Sequence, residues 1–222
     1  MTKNREQIRF LTILSMFWAI ILIMIFTPIG FINLGIIRAT IVHVPVIVGS
    51  LILGVKGGAV LGLMFGLGSF LNATFNPVLT SFAFSPFIPV PGSEYGTAWA
   101  LVIAFVPRIL TGVVPALVYK GSKRLFNHEK TPNKIIDMAS IGIAAALGTL
   151  TNTVLVLSGF FFFLREELAA ALGYGSDAIL GWIMGIVTTS GVSEIIVAVM
   201  FSAAVCFPLN VIRNRHRSSN KA

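Results

Sequence analysis

The 222-residue chain holds very little from which a reactive centre could be built. Its one cysteine, Cys206, excludes a disulfide framework and a cysteine-based metal site. The three histidines, His43, His128 and His216, form no H-E-x-x-H pair. No G-x-x-x-x-G-K-[ST] loop is present, so nucleotide hydrolysis by that route is excluded. Gly66-Leu67-Gly68-Ser69 is a faint echo of an intramembrane serine protease, but no second-span histidine is placed to serve it. Enzymatic activity, a metal and a cofactor are therefore not expected. Charge is also scarce, at 11% of residues. A net charge of +8 in a soluble protein would suggest nucleic acid. Here the cations sit at the ends of apolar runs, which is the footprint of membrane topology, and no nucleic-acid partner is expected. An evident inverted repeat is lacking too, which weighs against an ordinary secondary transporter.

Apolar surface is abundant: 56% of residues are hydrophobic and mean hydropathy is +0.92. Repeated apolar runs of about 20 residues predict an all-α membrane protein, a single integral membrane domain over residues 1–222 lying in a lipid bilayer. The spans are read at roughly 10–27, 39–54, 57–75, 97–119, 137–163 and 179–208. The second is short for a full crossing and is expected to be tilted or partly re-entrant. The first run is too long for a cleavable signal and lacks a small-residue exit. All Lys and Arg other than Arg38, Arg108 and Arg165 fall at the N-terminus, the second and fourth connections and the tail. By the positive-inside rule, this predicts six transmembrane helices with both termini cytoplasmic.

Arg108, directly after Pro107, stands near the centre of the fourth run. A full charge at that depth costs several kcal/mol or more, so it must face protein, water or a ligand. Guanidinium pairs bidentately with a carboxylate, so an anionic ligand is one reading. A structural ion pair inside the bundle, for example with Glu194, is the other. Thr97, Leu101, Ala104, Arg108, Thr111 and Pro115 share its helical face. By helical rise, Arg108 lies about 16 Å in from Thr97, Asn152 about 16 Å in from Phe163 and Thr189 about 15 Å in from Ile179. Three polar groups from three spans thus meet at one level, as a binding site requires. Ser69, Asn72 and Asn76 form a polar stripe at the outer end of the third span, and buried amides need partners. His43 opens the second span on a face with Ala39, Ile47 and Ser50. Glu194 is read as lying deeper, off the Thr189 face, and its role is left open.

Gly58, Gly62 and Gly66 make two consecutive small-xxx-small steps, a packing signal in an apolar helix. Ser15 and Ala19 lie one turn apart on the first span and offer another helix close approach. The apolar, Gly-rich connection 28–38 is expected to be a lid. The connection 77–96, with four prolines and Phe82, Phe84, Phe87 and Tyr95, is expected to fold as a cap on the external mouth.

Four stretches carry a family resemblance: ATIVHVPVIVGSLILGVKGGAVLGLMFGLGSFLNATFNP, TSFAFSPF, VPRILTGVVPALVY and GTLTNTVLVLSG. Over roughly residues 10–205 the chain resembles the substrate-binding S component of energy-coupling factor (ECF) vitamin transporters, most closely the pantothenate-specific type. The resemblance implies an S-component-like bundle of six helices in a bacterial plasma membrane, with an external pocket covered by the connections after spans 1 and 3. It implies a subunit that binds the vitamin and hydrolyses nothing. A transmembrane coupling subunit and two ATPase subunits would supply the energy, and the S component would topple in the membrane to deliver its cargo. Arg108 and Asn152 would hold pantothenate, Arg108 taking the carboxylate and Asn152 an amide or hydroxyl. To these the helical faces add His43, Asn72 and Thr189, while Phe84 and Phe87 would close the mouth. Docking on the coupling subunit would use Ser15 and Ala19, in place of the family's usual Ala-xxx-Ala. Another anionic vitamin, biotin or a folate, remains an alternative ligand, and a membrane scaffold or channel with a structural Arg108–Glu194 pair an alternative function.

Overall fold

A computed structural model describes residues 3–27, 30–33, 38–125 and 133–219. The chain is built from α1 (Lys3–Phe26), a short hairpin of β1 (Phe31–Asn33) and β2 (Arg38–Thr40), α2 (His43–Phe75), α3 (Trp99–Leu125), α4 (Lys134–Phe163), α5 (Arg165–Leu172), α6 (Ile179–Ile186) and α7 (Val192–Ser219). A π-helical turn, Val187–Gly191, joins α6 to α7 without a break. Among the described residues, five helical runs are long and apolar enough to cross a membrane: Asn4–Phe26, His43–Phe75, Trp99–Leu125, Lys134–Phe163 and Ser176–Val211.

The predicted second and third spans both fall within α2, which is interrupted at Gly54 (φ 77°, ψ −171°). On a straight helix Gly49 and Leu61 would stand about 18 Å apart. Instead Gly49 faces the Leu61 side chain, and Gly58 faces the Ser50 hydroxyl. The chain therefore doubles back at Gly54, in a conformation that a Cβ would disfavour. The arm before the turn rises only about 16 Å, roughly half the hydrocarbon core, which agrees with its short apolar run.

The second arm of α2 packs antiparallel on α3 along the glycine stripe. Gly58 faces the Gly112 carbonyl, Gly62 the backbone of Arg108 and Ile109, and Gly66 the backbone of Ala104 and Phe105. Without Cβ atoms the two backbones touch, as small-xxx-small steps permit. Ser50 donates to the Gly112 carbonyl and ties the first arm to the same point. α4 packs against both α3 and α7, with Gly148 seated on Pro115 and Gly159 on Ile103. At the basic end of α3, Tyr119 donates to Asp137 Oδ1 at 2.7 Å, and Asn210 Nδ2 donates to Tyr119 Oη at 2.6 Å and to Asp137 Oδ2 at 3.1 Å. Lys123 Nζ is 3.6 Å from Asp137 Oδ1. This cluster cross-links α3, α4 and α7 and satisfies a carboxylate that would otherwise be costly to bury.

On α1, Phe17, Ile21 and Ile25 form the buried stripe, whereas Ser15 and Ala19 are exposed. The lid expectation for 28–38 rests partly on residues 28, 29 and 34–37, which lie outside the described residues. The rest of that connection forms the hairpin, in which Phe31 pairs with Thr40. An all-α reading had no place for it. The 77–96 connection folds onto the bundle around a 3-10 turn, Ser81–Ala83. Ser81 Oγ accepts from Val78 N at 2.8 Å, Thr74 Oγ1 and Ser85 Oγ are 2.8 Å apart, and Phe82, Ala83 and Ser85 are buried.

Candidate ligand site

Under this cap a cavity of about 840 Å³, counted to its open mouth, is enclosed by the second arm of α2, α3, α4, the α6–α7 junction and Thr40 of the hairpin. Its mixed lining, apolar walls with a few polar groups, is that of small-molecule sites. Ser69, Asn72, Arg108, Asn152, Thr153 and Glu194 supply most of its polar groups.

Among the described residues Arg108 is the one Lys or Arg in this lining, and it is 5% exposed. Its position is set by the residues on either side. Its backbone is clamped against Gly62. Pro107 has no N–H for the carbonyl four residues back, Ile103. Arg108 Nη1 donates to that Ile103 carbonyl at 2.7 Å, reaching back along the helix as long side chains do. The guanidinium carbon stands 4.7 Å from the Phe84 ring centroid and 5.5 Å from that of Phe65. Two aromatic faces thus partly compensate the buried charge. Arg108 Nε is buried without a hydrogen-bond partner among the described residues.

Asn152 projects from α4 into the cavity, and its Oδ1 is also buried without a hydrogen-bond partner among the described residues. Its neighbour Thr153 donates to the Thr149 carbonyl at 3.3 Å and lies 3.5 Å from Glu194 Oε2. Glu194 Oε1 accepts from the backbone N–H of Thr40 at 3.1 Å. Among the described residues no direct ion pair joins Glu194 to Arg108. The two side chains make no direct contact, although both face the same cavity and their charges act on each other.

The cavity therefore gathers Arg108, Asn152 and Asn72 from the expected set. Asn72 also donates to the Ile25 carbonyl at 3.2 Å, tying α2 to the end of α1. His43 is buried at the start of α2 but does not line the cavity. Thr189 is exposed, and its hydroxyl donates to the Gly185 carbonyl at 2.7 Å. At 3.6 residues per turn the buried face of Ile179 and Ile183 continues through Ile186, Ser190 and Glu194, so these residues face inward and Thr189 falls beside them on the exposed side. Phe84 lines the site, whereas Phe87 packs on Phe70 outside it and is 70% exposed. Glu194 was the residue most open to detection, because an acid within an apolar span is itself a signal.

Residues 9–206 match the family described as "ECF transporter, substrate-specific component". The chain is 44% identical over 179 residues to the "Pantothenic acid transporter PanT" of Lactococcus lactis subsp. cremoris, covering 80% of this chain and 81% of that protein. It is 26% identical over 209 residues to the "Pantothenate transporter PanT" of Leuconostoc mesenteroides, covering 91% and 92% respectively. These are transport proteins rather than enzymes, in agreement with the missing reactive motifs and with five apolar helical runs in a multi-pass membrane protein. With a charged cavity closed by a folded cap and a match over most of its length, the chain belongs to the family of substrate-specific components of ECF transporters.

Proposed function

We propose that this chain is the pantothenate-binding subunit of an ECF importer. The observation that carries the reading is Arg108: a buried guanidinium in a cavity with no carboxylate paired to it among the described residues. Pantothenate brings one carboxylate, an amide, two hydroxyls and a branched apolar centre. Arg108 takes the carboxylate, Asn152 an amide or hydroxyl, and Asn72 a further polar group, while Phe84 covers the apolar part. The names of both relatives support the same ligand. His43 and Thr189 have no direct part in holding it.

The distribution of Lys and Arg supports six crossings, the second of them short, with both termini cytoplasmic and the cap outside. A coupling subunit and two ATPases complete the importer. Docking on the coupling subunit uses α1, where Ser15 and Ala19 are exposed beside each other and open to a close helix.

Equilibrium binding to the purified subunit, in nanodiscs and without ATP or partners, tests the reading across pantothenate, biotin and folate. Saturable binding of pantothenate is expected. Binding of biotin or folate instead would keep the family and discard the ligand. No binding by the folded protein would refute a pocket that works in the isolated subunit.

A further inference from the structure

Among the described residues Glu194 is the acid of the cavity, and its place apart from Arg108 bears on which ligands fit. α4 packs against both α3, which carries Arg108, and α7, which carries Glu194. α4 itself presents Asn152 and Thr153 in succession, both lining the cavity. The site therefore holds a cation and an anion that do not touch each other, together with an amide. A carboxylate has about four acceptor positions. Thr40 N fills one at 3.1 Å, and Thr153 Oγ1 approaches the other oxygen at a long 3.5 Å. Those two contacts also fix the orientation of the side chain. The remaining lone pairs have no donor among the described residues.

An ionised carboxylate is an acceptor only. It repels a second carboxylate and rewards a hydroxyl or N–H brought against it. We infer that Glu194 is a specificity-determining residue, which accepts hydrogen bonds from ligand hydroxyl groups at the end opposite the carboxylate. The inference rests on the pantothenate reading and deepens it, since pantothenate carries its carboxylate at one end and both hydroxyls toward the other. Glu194 then selects against an acid with no donor at its far end and against a diacid. That selection is stronger than an apolar wall could give, because a ligand without donors leaves a buried acceptor unpaired.

Binding of pantothenate and of its dideoxy analogue, with both hydroxyls replaced by hydrogen, is measured on the full chain in nanodiscs. The two ligands share the carboxylate, the amide and the branched centre. Wild type is expected to prefer pantothenate by about 10- to 100-fold. Glu194→Gln keeps an acceptor for Thr40 N but loses the charge. It is expected to weaken pantothenate by about tenfold or more while leaving the analogue within about threefold of wild type. The analogue's retained binding is the control for folding. Glu194→Asp, which withdraws the charge by one methylene, is expected to reduce the same preference and serves if the Gln variant does not fold. Equal weakening of both ligands, or no change in either, overturns the role of Glu194 and leaves the pantothenate reading standing. Failure of wild type to bind pantothenate overturns both.

Discussion

Arg108 Nη1 donates to the carbonyl of Ile103 at 2.7 Å, and Ile103 is the residue whose helical partner Pro107 removes. The proline and the arginine act together: one frees an acceptor, and the other satisfies it while holding its own charge in a fixed place. Pro107→Ala restores an N–H that competes for the carbonyl. We expect a stability equal to or above that of wild type, since a helix-interior proline costs about 3 kcal/mol where nothing compensates it. We also expect ligand affinity about 3- to 10-fold weaker, because the guanidinium loses an anchor worth about 1 kcal/mol. Thermal melting and binding on the same preparation check the two signs.

Arg108→Met replaces the buried cation by an apolar side chain of similar length. The variant is expected to fold with a melting temperature close to that of wild type, since relief of the buried charge is offset by the Ile103 carbonyl left without its donor. Ligand binding should fall by about 100-fold or more, the cost of losing one half of a buried charge pair. Normal pantothenate binding by the folded variant would remove Arg108 from the site.

Gly58 faces the Gly112 carbonyl so closely that a Cβ has no room. Gly58→Ala should force α2 from α3 and destabilise by about 1–3 kcal/mol. Gly181, with nothing within 4 Å of a Cβ, is the control, and Gly181→Ala should be neutral or slightly stabilising. Equal melting temperatures for the two variants would contradict the close α2–α3 approach.

Tyr119→Phe removes the hydroxyl shared by Asp137 and Asn210. A loss of about 1–3 kcal/mol in stability is expected, because the carboxylate and amide stay buried with one contact fewer. Ligand affinity should not change, since none of the three lines the cavity. A parallel loss of binding would show that the cluster and the cavity are coupled.

Ser15→Leu together with Ala19→Leu enlarges two exposed positions on one face of α1. Assembly with the coupling subunit, measured by co-purification, should be weakened while pantothenate binding by the isolated subunit is unchanged. Unaltered assembly would place docking elsewhere.

The sequence by itself determined the solvent and much of the chemistry. Apolar runs of this length require a bilayer, because backbone polar groups in lipid must be satisfied within helices. A lone Arg in such a run requires a protein or ligand surface, and Arg108 and Asn152 meet in one cavity as their helical depths suggested, whereas Thr189, counted to the same depth, does not join them and Asn72 does. The Gly58–Gly62–Gly66 stripe likewise announced the α2–α3 contact. The tertiary structure alone decided three things. At Gly54 the chain turns back on itself, and glycine permits that φ without requiring it. Whether Arg108 meets Glu194 directly depends on the space between α3 and α7, which no spacing along the chain encodes. The inward face of α6 and α7 is the third: Ile179 and Ile183 pack into the bundle, and at 3.6 residues per turn their stripe continues through Ile186, Ser190 and Glu194, which leaves Thr189 beside it. Which face packs inward is set by the neighbouring helices, and here it puts the acid in the same cavity as the arginine.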